Sequence, residues 1–259
     1  MYKSLTKQDI QKILKFDSAY KVDALIVSGT NPKSKGYVHL YEALNKLGLA
    51  YTEEKINDEF FNEVKSFVIN GKRVWFDVAY GTAYLSELLH VASILGSQAN
   101  LLLGTCGVLQ KGIATADTII PLASYGNESS TRMYNRENTS YVYDSDINLS
   151  NAIKQKIKHR ENVHEGKLMT VQAMLAETQA DVDAWSEQGY IGVDMESSTV
   201  FAVSNHFNVP SAALLFAAEN LIENQLVTDE SFELLKTQRV AVRKENHEIA
   251  FKAVIDFIS

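Results

Sequence analysis

Along the chain, short and wholly apolar runs alternate with stretches whose apolar residues recur every three to four positions. That is the pattern of buried strands joined by amphipathic helices. Residues 22–28 read as a buried strand that ends in the loop Gly29-Thr30-Asn31-Pro32-Lys33, and 37–47 read as a helix behind it. Residues 64–68 and 73–80 read as two strands around Asn70-Gly71, a dipeptide suited to a tight hairpin turn. The clearest amphipathic helix spans 82–95, with Leu85, Leu88, Leu89, Ala92 and Leu95 spaced by three and four and Gly96 as its stop. Further strands are predicted at 101–103, 117–123 and 211–217, and helices at 172–188, ended by Gly189, and at 196–207. Residues 229–258 read as mostly helix, with Ala250, Phe251, Val254, Ile255 and Ile258 forming a buried stripe. The alternation predicts an α/β fold, and without a Pro/Gly/Ser-rich linker or an internal repeat residues 1–259 read as a single domain.

Composition narrows the function classes. With 46% hydrophobic and 22% charged residues, the chain is ordinary for a soluble globular protein. A net charge of -7 argues against a nucleic-acid backbone as the main partner, while leaving room for one small anion held by local donors. Cys106 is the only cysteine, so no internal disulfide is possible and a reducing compartment is expected. The first 17 residues hold no signal-peptide core, and no apolar run reaches membrane-span length, so a cytoplasmic protein without a membrane partner is expected.

In open α/β sheets, ligands bind beyond the carboxyl ends of strands, and three such places carry unusual residues. Gly104-Thr105-Cys106-Gly107 follows the strand at 101–103; its glycines, Gly107 included, let the backbone turn tightly and approach a ligand, and Thr105 adds a hydroxyl. It is equally compatible with a plain turn, and Cys106 among apolar strand residues reads as inert filling rather than a nucleophile. Val193-Asp194-Met195-Glu196-Ser197-Ser198 places two carboxylates at a predicted helix start. Asp194 can cap the helix and Glu196 can favour its positive end, or a carboxylate here can bind sugar hydroxyls. Glu219-Asn220 ends the apolar run 212–218; an acid and an amide there suit a heterocycle, or they begin a solvated loop.

Taken together, these segments resemble the nucleoside phosphorylase superfamily, which includes purine nucleoside phosphorylases, uridine phosphorylases and nucleosidases. Residues 103–109 (LGTCGVL) look like its Gly-Ser/Thr-x-Gly turn, 127–134 (NESSTRMY) are similar to the segment that follows it, and VDMESS at 193–198 looks like its Met-Glu signature. The order and spacing hold from about Asp23 to about Asn220. The resemblance implies a mixed, partly barrel-like sheet flanked by helices, and a homo-oligomer with active sites near subunit contacts. It implies no metal and no cofactor, with inorganic phosphate as co-substrate and a nucleoside as the small-molecule substrate. Glu196 would hold ribose hydroxyls, Met195 would pack on the sugar, and Thr105 would contact the anion or the ribose. Glu219, an Asp in many relatives, would protonate a purine, with Asn220 beside the base and Met174 at the position of a stacking aromatic. Gly29, Lys33 and Thr105 would form the phosphate site.

Departures from the family pattern divide the function. Leu102 stands where phosphorylases carry a phosphate-binding Arg, and Lys33 is a point charge where they carry a fork-shaped donor. Lys65 or Arg132 are further candidate cations, and the first histidine, His39, is too late to match the one some members lend to a neighbour's ribose pocket. Cleavage of a purine nucleoside by phosphate is the leading expectation. Hydrolysis by water, as in a nucleosidase, and non-catalytic nucleoside binding are the alternatives.

Overall fold

The computed structural model describes residues 2–30, 32–223 and 228–259; Asn31 of the first strand-end loop lies outside them. A sheet of ten strands organises the chain. β1 (Ala24–Ser28) is wholly buried and lies parallel to β4 (Lys72–Val78), followed outward by β3 (Lys65–Ile69) and β2 (Tyr51–Lys55), each antiparallel to its neighbour. Asn70 and Gly71 turn between β3 and β4 with φ of 51° and 75°, the two positive angles such a turn requires.

On its other side β1 pairs with β5 (Asn100–Val108), which also runs parallel to β10 (Ser211–Asn220) along its whole length. From β10 the path continues through β6 (Thr118–Tyr125), β8 (Val163–Thr170) and β9 (Gly192–Asp194) and returns to β5. β7 (Val142–Asp144) adds to the edge of β6. Strands β5, β10, β6, β8 and β9 thus close on themselves, giving the barrel-like mixed sheet that the resemblance implies.

Register along β5 determines where a ligand can enter. β1 reaches only as far as Leu103, and β9 joins only at Gly107 and Val108. Between them Gly104, Thr105 and Cys106 face β10 on one side and no strand on the other. The Gly29 N–H, just past β1, closes the last rung by donating to the Leu103 carbonyl at 2.7 Å. Two strands part here, as at the switch point of an open α/β sheet.

Helices cover both faces. α1 (Lys7–Ile13), α3 (Thr82–Leu95) and α7 (Ser197–His206) pack over Leu25, Val27 and Leu102. α2 (Lys33–Leu47), α5 (Ile147–Lys156) and α9 (Lys236–Phe257) pack over Ile26, Leu101 and Leu103. The period-two alternation of β1 and β5 sends successive side chains to opposite cores.

Several expected boundaries move for local reasons. α2 begins at Lys33, directly after Pro32, and its first turn is hidden from the sequence because it has little apolar periodicity. The helix expected at 172–188 is instead a 3₁₀ turn, Met174–Ala176, followed by α6 (Gln179–Glu187). Thr178 and Asp181 form a reciprocal capping box that starts α6 and leaves the preceding residues in a loop. The stretch 229–258 divides into α8 (Glu230–Leu234) and α9, and a further short helix, α4 (Ser129–Tyr134), follows β6. The polar first half of β8, and the three-residue lengths of β7 and β9, hide those strands from periodicity. Among the described residues, no helix is long and apolar enough to cross a membrane.

Leu102 is 1% exposed and points into the core beneath α3 and α7. Leu102→Arg is therefore expected to bury an unpaired charge and to destabilise the protein by about 3–5 kcal/mol in urea unfolding. Wild-type stability would mean that the side chain at 102 can reach the strand opening.

Candidate active site

A cavity of about 120 Å³ lies at the opening in β5. Five segments meet in its wall: Gly29 after β1, Tyr80 after β4, Thr105 to Gly107 in β5, Asp194 to Glu196 between β9 and α7, and Ala218 and Glu219 near the end of β10. Met174 and Glu177, from the loop ahead of α6, and Leu221 complete it. Of the residues singled out in the sequence, Gly29, Thr105, Gly107, Met174, Met195, Glu196 and Glu219 are brought together here.

The carboxylates of VDMESS have separate tasks. Asp194 is the helix-starting residue: it accepts from the Ser197 N–H at 2.9 Å and from Thr170 Oγ1 at 2.7 Å. Glu196 occupies the N-cap position of α7 yet makes no capping bond with its side chain. That side chain turns instead to the far side of the cavity, where Oε1 accepts from the Gly81 N–H at 2.7 Å. Gly81 precedes α3, so the donor is an amide at that helix's positive end. Gly29 closes against the same carboxyl group: a Cβ there would lie 2.9 Å from Glu196 Oε2. Glu196 is 5% exposed. Burial pushes its carboxyl group well above the usual range, and the charge of Asp194 adds to the shift. Burial raises Asp194 too, against the donors that surround it.

Around Met195 the backbone is braced. Gln172 Nε2 donates to the Met195 carbonyl at 3.0 Å, while Gln172 Oε1 accepts from the backbone N–H and the hydroxyl of Thr82. One amide thereby ties the Met-Glu segment to the start of α3. A Cβ at Gly107 would meet Leu221 Cδ1 at 2.9 Å, so a side chain there would need Leu221 to shift.

Glu219 and Glu177 both line the cavity, close enough for the charge of one to act on the other. Glu177 is half-buried and its pKa is pushed up to about 7, by burial first and then by the negative charges of Glu219 and Asp181. Met174, 46% exposed, borders the same cavity, and Tyr80, 51% exposed, supplies an aromatic ring to the wall. Sequence reasoning missed Glu177 and Tyr80. The readable signal for Glu177 is the Thr-x-x-Asp capping box directly after it, which ends the loop that holds it; Tyr80 has only its place before Gly81.

Other expected residues lie elsewhere. Asn220 is fully buried: its Nδ2 donates to the carbonyls of Gln110 and Ile113 at 3.0 and 2.9 Å, and its Oδ1 accepts from the N–H groups of Ile222 and Glu223. An amide saturated by backbone pins two loops together, so the expectation that it meets a ligand is corrected. Lys33, the first residue of α2, pairs with Glu63 and lies 5.2 Å from the centre of the Tyr84 ring, outside the cavity wall. Lys65 is turned to Glu53 at 3.8 Å, and Arg132 lies over the Tyr141 ring. Among the described residues, no lysine or arginine lines this cavity. Cys106 is buried, and burial pushes its thiol far above the ordinary range, as inert filling requires.

Over 168 residues, covering 64% of this chain and 67% of the relative, the chain is 25% identical to the guanosine phosphorylase of Halorubrum lacusprofundi. It is 21% identical to the DeoD-type purine nucleoside phosphorylase of Clostridium novyi, over 62% of this chain and 68% of that one. Among solved structures, uridine phosphorylase from Vibrio fischeri superposes with a TM-score of 0.74 at 15% identity, covering 94% of this chain and 95% of the other. AMP nucleosidase from Bacteroides thetaiotaomicron gives 0.66 at 17% identity, covering 93% and 98%. At these identities the structural likeness concerns the fold. The family model of the phosphorylase superfamily matches residues 82–256, more than half of the chain. This protein therefore belongs to the phosphorylase superfamily.

Proposed function

We propose that the protein cleaves the N-glycosidic bond of a purine nucleoside, with inorganic phosphate as nucleophile and free base and ribose 1-phosphate as products. The observation behind this reading is that a buried carboxyl group, Glu196, and the interacting carboxyl groups of Glu177 and Glu219 line one cavity. Each suits one half of a nucleoside.

As the C–N bond lengthens, its electron pair moves to the base and the ribosyl carbon gains oxocarbenium character. Glu196 accepts hydrogen bonds from ribose hydroxyls. Those bonds strengthen as positive charge develops, so they favour the transition state over the bound substrate. Met195 packs beside the sugar, and Met174 and Tyr80 border the base. The leaving base needs a proton. Two carboxyl groups close together hold one more readily than either alone, so Glu177 and Glu219 share the proton that passes to a purine ring nitrogen. The incoming anion forms the new bond to the anomeric carbon from the Gly29–Thr105 side. The likeness to guanosine and purine nucleoside phosphorylases supports the purine reading.

One observation favours a second reading, with water as nucleophile. Four acidic residues line the cavity wall, no lysine or arginine lines it among the described residues, and Leu102 is committed to the core. A nucleoside panel run with and without phosphate, with products separated by chromatography, decides between them. Phosphorolysis predicts purine release that rises with phosphate and yields ribose 1-phosphate. Equal rates in phosphate-free buffer, with free ribose as product, support water, and release from uracil or thymine nucleosides alone contradicts the purine assignment.

Glu196→Gln keeps the shape of the side chain but loses charge-assisted bonding, so kcat/KM is expected to fall roughly ten- to a hundred-fold. Wild-type activity in the folded variant contradicts the ribose role. The pH profile tests the acid. Glu177 loses its proton as pH rises through about 7, so cleavage is expected to decline on the alkaline side with a midpoint near that value. Glu177→Gln is expected to remove this limb, and a profile unchanged in the variant assigns the proton to another group.

A further inference from the structure

The head of α3 is capped from outside its own segment. Gly81, its N-cap residue, has no side chain to offer, and its φ of 76° is one that glycine adopts freely. Two consecutive amides at this helix start are satisfied instead by side chains distant in sequence. The Gly81 N–H donates to Glu196 Oε1 at 2.7 Å, and the Thr82 N–H donates to Gln172 Oε1 at 3.2 Å. The Thr82 hydroxyl donates to the same Gln172 oxygen at 3.1 Å, and Ser130 of α4 donates to that hydroxyl at 3.1 Å.

Gln172 is joined to the carboxyl group from the other direction as well. Its Nε2 donates at 3.0 Å to the carbonyl of Met195, the residue before Glu196. The bonds close into a ring. Glu196 reaches Gly81 through its carboxyl group, and Gly81 reaches Thr82 through the peptide. Thr82 reaches Gln172, and Gln172 reaches Met195, through the two ends of one amide. Met195 returns to Glu196 through the peptide. Thr82 calls for an acceptor and Met195 for a donor. An amide supplies both at once, where glutamate only accepts and lysine only donates. Gln172 is exposed and lies outside the hydrophobic cores, so it contributes these bonds rather than packing.

We propose that Gln172 is a positioning residue for Glu196: by closing this ring it holds the Glu196 carboxyl group on the Gly81 amide, in one place at the cavity wall. Its part in the reaction rests on reading the cavity as a nucleoside site with Glu196 on the ribose hydroxyls; the ring does not. With Gly81 alone, the carboxyl group has one anchor about which it can swing. With Gln172, the amide that holds it and the backbone that carries it are fixed relative to each other. A contact that strengthens in the transition state depends on such placement, since a displacement of about 1 Å can remove most of its effect on rate.

Heteronuclear NMR of the wild-type chain and of Gln172→Met, followed through a pH titration, tests the ring. Methionine keeps the length of the side chain and removes both bonding atoms. In the wild type the Gly81 amide proton is expected to shift with the protonation of Glu196, because its acceptor changes charge. Gln172→Met is expected to lose most of that response. In nucleoside cleavage the same variant is expected to lower kcat about ten-fold while KM for the nucleoside stays within about two-fold, the split that a misplaced transition-state contact produces. Thermal unfolding checks that the variant is folded, and Gln172→Ala replaces it if it is not; loss of the fold in both overturns the proposal by giving Gln172 a purely structural part. A Gly81 amide that follows Glu196 in the folded variant as it does in the wild type, or that ignores Glu196 in the wild type, overturns it as well. Loss of the Gly81 response with kcat unchanged, or a wild type that releases no base, overturns the reading of Glu196 in the reaction and leaves the positioning of its carboxyl group standing.

Discussion

Burial of the Glu196 carboxyl group at the gap between β1 and β9 is the constraint on which the rest of the site depends. A carboxyl group removed from water must find donors or hold a proton. Here it finds the Gly81 amide at the head of α3, and its own position is set by the cap that Asp194 makes on α7. Two helices and two strand ends are thereby joined through one side chain. Gly29 has no side chain because the carboxyl group occupies that space, and Gln172 braces the neighbouring Met195 carbonyl against the start of α3. The barrel closure of β5, β10, β6, β8 and β9 holds these pieces in place, while β1 leaves β5 early enough to open the cavity.

The same burial sets the electrostatics. Four acidic residues, Glu177, Asp194, Glu196 and Glu219, line the main cavity. A site of this kind stabilises a developing ribosyl cation well. On the proposed reading, the choice between phosphate and water as nucleophile is an electrostatic question, since Lys33 at the start of α2 is paired with Glu63.

Much of this was legible in the sequence. Periodicity marked β1, the β3–β4 hairpin, α3, α7 and β10, because each buries a continuous apolar face. The strand-end motifs pointed to Thr105, Glu196 and Glu219, which share one cavity. What remained hidden has physical causes. β9 is three residues long, and the first half of β8 is polar, so neither shows a period, and the barrel could be expected only through the resemblance. Asn220 was misread because an amide after a buried strand looks the same whether it meets a ligand or the backbone of two loops. Glu177 was absorbed into a helix that starts only after the Thr178–Asp181 capping box.

Carbon-detected NMR of the glutamate carboxyl groups, assigned with the Glu196→Gln variant and followed through a pH titration, tests the central claim most directly. The account predicts that Glu196 titrates well above the usual carboxylate range in the free protein, because burial and Asp194 both oppose its charge. It further predicts a downward shift when a non-cleavable nucleoside analogue is added, because ribose hydroxyls that donate to a carboxylate favour its charged form. An ordinary titration that ignores the analogue would contradict both the burial of this group and its contact with the sugar.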